Sequence, residues 1–180
     1  MLTAAAPSLS EWESFYVIVG SSGAALVGLQ FVVLTLIADR QARTSRETLN
    51  AFGTPTVVHF TGALVISALM SAPWPSLHAV AVALAIAGLA GITYALIVIR
   101  RARRQEGYAP SGEDWVWYVL LPCAAYGMLT VTAMLLPGAS ESALFGIGGV
   151  ALGLLLLGIR NAWDTVTYVV TGEHAERGGR

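Results

Sequence analysis

Few side chains in this sequence pair a reactive or hydrogen-bonding group with surroundings in which it would matter. Gln30, His59, Thr93 and Tyr94 interrupt long apolar runs, and Asn161 and Asp164 follow the last of those runs. An imidazole is the side chain that ordinarily changes charge near neutral pH, so His59 is a candidate switch or general base. The amides of Gln30 and Asn161 and the hydroxyls of Thr93 and Tyr94 bond without carrying charge, which suits a neutral polar lining, while Gln30 and His59 would equally serve as hydrogen-bond ties between helices. Together the six are expected to line a polar cavity or pore open to the cytoplasm. No nucleophile or paired carboxylate accompanies His59, and His59, His78 and His174 fall at different depths or sides of the membrane, so no metal site is expected. Cys123 is the single cysteine, which leaves no intrachain disulfide, and no cofactor is expected.

What must hold these residues is a set of membrane-crossing helices. The chain has 180 residues, 56% of them hydrophobic and only 12% charged, against about 25% charged in soluble domains. Five runs reach the roughly 17 to 25 residues that a helix needs to span hydrocarbon: residues 15–38, 55–72, 77–99, 115–136 and 143–159. Membrane β-strands are excluded because the alternating pattern of a barrel is missing and an open sheet would leave its backbone unbonded in lipid. The fold class is therefore all-α, a five-helix integral membrane bundle over residues 1–172, with residues 173–180 as a disordered cytoplasmic tail. No positively charged segment precedes the first run, so that helix is expected to stay rather than be cleaved as a signal peptide.

Orientation follows from arginine, since loops on the cytoplasmic side keep their positive charge. The ten basic residues are all arginine: Arg40, Arg43 and Arg46 after the first run, Arg100, Arg101, Arg103 and Arg104 after the third, and Arg160, Arg177 and Arg180 after the fifth. Five crossings put all of them on one side, with the N-terminus outside and the C-terminus in the cytoplasm. The five tryptophans, Trp12, Trp74, Trp115, Trp117 and Trp163, sit near span ends, where an amphipathic ring rests among headgroups.

Local signals refine the boundaries. Thr54 and Pro55 read as the N-cap and first residue of the second helix, Pro73 and Pro75 as a tight turn before the third, and Pro137 and Gly138 as the turn before the fifth, capped by Ser140 or Ser142. Pro122 falls inside a span and predicts a kink. Thr44 and Glu47 have capping-box spacing ahead of Leu49 and Phe52, which predicts a short interfacial helix stopping at Gly53. Trp163, Val166 and Val170 continue at helical spacing, which predicts an amphipathic extension ending at Gly172.

Helices in lipid associate by close backbone approach at small residues. Gly20, Ala24 and Gly28 form one such ridge, Ala87 and Gly91 part of a second, and Gly149 and Gly153 a third. Packing within the five-helix bundle is the first reading for any one ridge, but three ridges exceed what one small bundle needs, so at least one, that of the first helix, is expected to face a second copy. Arg100, Arg101, Arg103 and Arg104 would also contact anionic lipid headgroups, each contributing about 1 kcal/mol. Membrane lipids, further copies and another membrane protein are the expected partners; nucleic acid is not.

Trp12, Phe15, Gly20, Gly28, Leu29, Phe31 and Val32, followed far downstream by Arg160, Asn161, Ala162, Trp163 and Asp164, resemble a pattern found in small bacterial multi-spanning membrane proteins. That resemblance implies a bacterial cytoplasmic membrane and no activity. Three functional readings follow, in order: a non-enzymatic accessory or scaffold subunit that self-associates; a homo-oligomeric channel or small-solute pathway lined by the first helix with Gln30 as its girdle; and an intramembrane enzyme using His59.

Overall fold

The computed structural model describes residues 9–40, 46–102, 115–138 and 141–178, with side chains at 9–36, 54–100, 115–138 and 141–167. A turn of 3-10 helix, Leu9–Trp12, leads into α1, Glu13–Arg40; α2 is Arg46–Ser71, α3 Leu77–Ala102, α4 Leu121–Leu135 and α5 Glu141–Gly178. Five helical stretches in these elements are long and apolar enough to cross a membrane, matching the five runs read from the sequence. In hydrocarbon a helix is the form that satisfies every backbone group within one segment.

α2 packs on α1 and α5, α5 on α4, and α4 on α3, so α2, α4 and α5 form the interior and α1 and α3 flank it. Tyr16, Phe60, Leu84, Leu129, Ile147 and Leu154 are the larger fully buried side chains. Ile18, Leu29, Val82, Ile86, Met134 and Phe145 are exposed on the outside, so the bundle presents an apolar surface.

Contacts across the helix pairs fix their register. A Cβ built on Gly20 meets Ser67 and one on Gly23 meets the backbone of Phe60 and Leu64, so α1 and α2 are antiparallel. Gly62 lies against Leu154 and Gly158 against Phe60, Gly88 against Thr130 and Gly91 against Tyr126, which makes α2 with α5 and α3 with α4 antiparallel as well. Continuing the α3–α4 register brings Arg100 to the level of Trp117, and the Arg160 guanidinium lies 5.5 Å from the Trp117 ring centre. Arg100 and Arg160 therefore mark one end of the bundle. Trp12, Phe15, Tyr16 and Phe145 cluster at the other, with Trp12 edge to face on Phe15 and Phe145, Phe15 edge to face on Tyr16, and Trp12 tilted against Tyr16.

The turn between α2 and α3 behaves as its prolines and serine suggest. The Trp74 indole N–H donates to Leu69 O at 2.6 Å, occupying one of the carbonyls orphaned at the end of α2, and Ala79 N–H donates to Ser76 Oγ at 3.3 Å as a helix cap.

Four expectations need correction. α2 does not begin at Thr54: it starts at Arg46 and runs through Gly53 and Pro55, so the separate interfacial helix merges into it, while Thr44 lies outside the described residues. One missing hydrogen bond at Pro55 costs less than a helix end with four unbonded donors placed at the bilayer. At Pro122, where a kink is expected, the helix is interrupted by a wide turn, Val116–Leu120, in which Leu121 N–H donates to Val116 O five residues back, and the proline occupies the first turn of α4. α5 does not stop at Gly172 but continues through the expected disordered tail to Gly178. Its 38 residues extend about 57 Å, well beyond a hydrocarbon core of about 30 Å.

Candidate functional site

Tyr126 is the hub of the buried polar groups. Its ring fills a slot whose walls are glycines: a Cβ on Gly91 of α3 would collide with the ring, and one on Gly62 of α2 would lie 3.1 Å from the hydroxyl. The Tyr126 hydroxyl lies 3.3 Å from His59 Nδ1, a hydrogen bond between α4 and α2 whose donor is set by the imidazole tautomer. Both residues are buried, at 3% and 2% exposure. Tyr94 is half-buried on α3, three residues beyond Gly91 in the wall of that slot.

A second layer lies nearer the arginine end. Extending the α1–α2 register from Gly20–Ser67 and Gly23–Phe60 brings Gln30 level with Thr56. Extending the α2–α5 register from Gly62–Leu154 and Gly158–Phe60 brings Asn161 to the same level, with Thr165 one turn further along α5. All four are buried, Thr56 and Asn161 completely. Thr165 Oγ1 donates to Asn161 O at 2.9 Å, whereas Gln30 Nε2 and both Asn161 amide atoms have no hydrogen-bond partner. The Tyr16 hydroxyl and Ser67 Oγ are likewise buried without a partner, nearer the opposite end.

Asp164 belongs elsewhere. It forms an ion pair with Arg160 one turn back and accepts a hydrogen bond from the Tyr118 hydroxyl at 3.3 Å, while Arg160 also stacks on Trp117. This half-buried cluster ties α5 to the start of α4. Thr93 also leaves the expected cavity: it is exposed on α3 and donates to Leu89 O at 2.8 Å within its own helix. Of the six polar candidates, Gln30 and Asn161 share a layer, His59 and Tyr94 converge on Tyr126, and Thr93 and Asp164 are drawn away.

The small-residue ridges divide in the same manner. Gly20, although part of the ridge expected to face a second copy, packs within the bundle against Ser67, as Gly91 does against Tyr126, and Gly23, Gly62, Gly88, Gly146, Gly148 and Gly158 also have close neighbours there. Ala87 is half-buried. Gly28, Gly149 and Gly153 have no neighbouring atom within 4 Å of an added Cβ, and Ala24 is exposed, so these four are not intrachain packing positions. Gly28 and Gln30 point about 160° apart on α1, so one axis cannot be lined by both. Arg100 is exposed at the end of α3; the Arg101 side chain and all of Arg103 and Arg104 lie outside the described residues.

Among the described residues no three histidine, cysteine or carboxylate side chains converge as metal ligands. Thr56, Tyr126 and Thr165 complete the polar layers and were not singled out from the sequence. The signal available was spacing: Thr56 and His59 share a helix face with Phe60 and Ala63, and Thr165 stands one turn beyond Asn161. No protein-family model matches this sequence, and no curated protein or solved structure matches it either. The chain's own residues must therefore carry the functional reading.

Proposed function

We propose that this is a multi-pass protein of a bacterial cytoplasmic membrane, N-terminus outside and C-terminus inside, acting without catalysis as an accessory or scaffold subunit that self-associates. The observation that carries the reading is the outward face of α1. Ser21, Ala24, Ala25 and Gly28 are exposed there in sequence order, and nothing lies within 4 Å of a Cβ built on Gly28. Small side chains permit the close backbone approach by which membrane helices associate, whereas the neighbouring lipid-facing positions are large and apolar. A second copy presenting the same stripe is the partner whose shape fits it, through a two-fold contact in the membrane plane.

The orientation is supported by the placement of all ten arginines in segments that five crossings put on one side. Arg100 and its neighbours Arg101, Arg103 and Arg104 would hold anionic headgroups on that side. In a Cys123→Ser background, Ala24→Cys in native membranes should give a disulfide-linked dimer on mild oxidation. A chain that remains monomeric under conditions that cross-link a known membrane dimer would remove the basis of the reading.

A further inference from the structure

His59 and Tyr126 join α2 to α4 at a point where a third helix closes on the same ring. The imidazole and the phenol are both buried, with Nδ1 3.3 Å from the hydroxyl and the two rings tilted at 37°. A Cβ on Gly91 of α3 would collide with the Tyr126 ring, and one on Gly62 of α2 would lie 3.1 Å from its hydroxyl. The phenol is thus carried by α4 and walled by α2 and α3, so displacing it changes the packing of all three helices.

While the imidazole is neutral, this contact is satisfied whichever ring nitrogen carries the proton, because the phenol both donates and accepts. A second proton upsets that balance: both nitrogens become donors and the ring carries a full charge. Burying such a charge is strongly unfavourable unless an opposite charge meets it. The titratable side chains described on the surrounding helices are Tyr118, Cys123 and Tyr126 on α4, His78, Tyr94 and Arg100 on α3, and Glu141, Arg160 and Asp164 on α5, while α1 has none between Tyr16 and Leu36. Glu11, Glu13 and Glu141 lie at the aromatic end, and Asp164 is held by Arg160 and Tyr118. Among the described residues, no carboxylate is left to pair with a charged His59.

We propose that His59 is a proton-binding site that switches the α2–α4 contact: uptake of one proton from solution charges the imidazole, and the bundle answers by parting His59 from Tyr126. The closed packing is favoured while His59 is neutral and is lost as pH falls. The switch stands apart from α1 self-association and from the orientation of the chain, since it is read with both faces of the membrane at one pH.

Nitrogen-15 NMR of the full chain in lipid bilayers, with His78→Gln and His174→Gln leaving His59 as the labelled histidine, follows the protonation. Lowering the pH of the whole sample from neutral should replace the widely separated nitrogen signals of a neutral imidazole with the closely matched pair of an imidazolium. Spin labels at Thr61→Cys on α2 and Met128→Cys on α4, both exposed positions, report the contact in a Cys123→Ser background. Their separation should lengthen over the same pH range, return on neutralisation, and stay fixed in His59→Gln, which keeps a hydrogen-bonding amide but cannot gain a proton. An imidazole that stays neutral until the helices unfold overturns the proposal, as does an imidazolium with an unchanged separation, or an equal lengthening in His59→Gln. The first two readings need no substitution at His59 and so decide the matter whether or not that variant folds.

Discussion

At the scale of single residues, the polar groups inside the bundle divide by how each satisfies its bonding. His59 meets Tyr126 across two helices, and that bond is the clearest single polar tie in the interior. Tyr126→Phe keeps the ring in its glycine slot and removes only the hydroxyl, so stability in mixed micelles should fall by about 0.6 to 2 kcal/mol, read from the unfolding midpoint. An unchanged midpoint would mean that the imidazole bonds elsewhere. Gln30 and His59 were legible as inward-facing from sequence alone, because an amide or imidazole in an apolar run has to turn inward, whereas Asn161 follows the last run and its complete burial was not. Thr93 was not, since a threonine hydroxyl can bond its own helix four residues back and face lipid at little cost, as it does to Leu89 O. Nor was Tyr126, whose role depends on glycines contributed by two other helices.

At the scale of elements, glycines decide which helices touch. A Cβ on Gly91 would strike the buried Tyr126 ring, while Gly149 looks into open space on α5. Gly91→Val should therefore cost about 1 to 3 kcal/mol through overpacking, and Gly149→Val should change stability by no more than about 0.5 kcal/mol. Comparing the two unfolding midpoints checks the packing of α3 on α4 directly. The sequence shows small residues at four-residue spacing but not which side of a helix meets a neighbour. That is why the ridge of Gly20, Ala24 and Gly28 divides, with Gly20 against Ser67 and Gly28 in open space, and why Gly149 also faces outward. The five apolar runs were readable because hydrophobic length maps directly onto membrane thickness. The start of α2 was not, because Pro55 resembles a helix start when read locally and the continuity of the backbone overrides it. The outward stripe on α1 makes a separate prediction. Gly28→Leu and Ala24→Leu should weaken self-association at least tenfold in quantitative cross-linking or subunit-exchange assays. The monomer's unfolding midpoint should hold, because no intrachain neighbour crowds Gly28 and Ala24 is exposed. Equal loss of both would show that α1 packs inward at these positions.

At the scale of the whole molecule, an apolar exterior, an odd number of long helices and a one-sided distribution of arginine act together. Large aliphatic side chains are exposed on the outside, a surface compatible with lipid as the solvent. The aromatic cluster at one end and the Arg160–Asp164–Tyr118 cluster at the other bracket the apolar length, so the two ends of the bundle differ chemically. Every depth assigned to Gln30, His59 and Asn161 depends on that polarity. Labelling of single cysteines in sealed cells measures it most directly, using Ser10→Cys and Gly178→Cys separately in the Cys123→Ser background with a membrane-impermeant maleimide. The protein bearing Ser10→Cys should be labelled in intact cells and the one bearing Gly178→Cys only after the membrane is opened; labelling of both from the same side would contradict five crossings and the orientation proposed here.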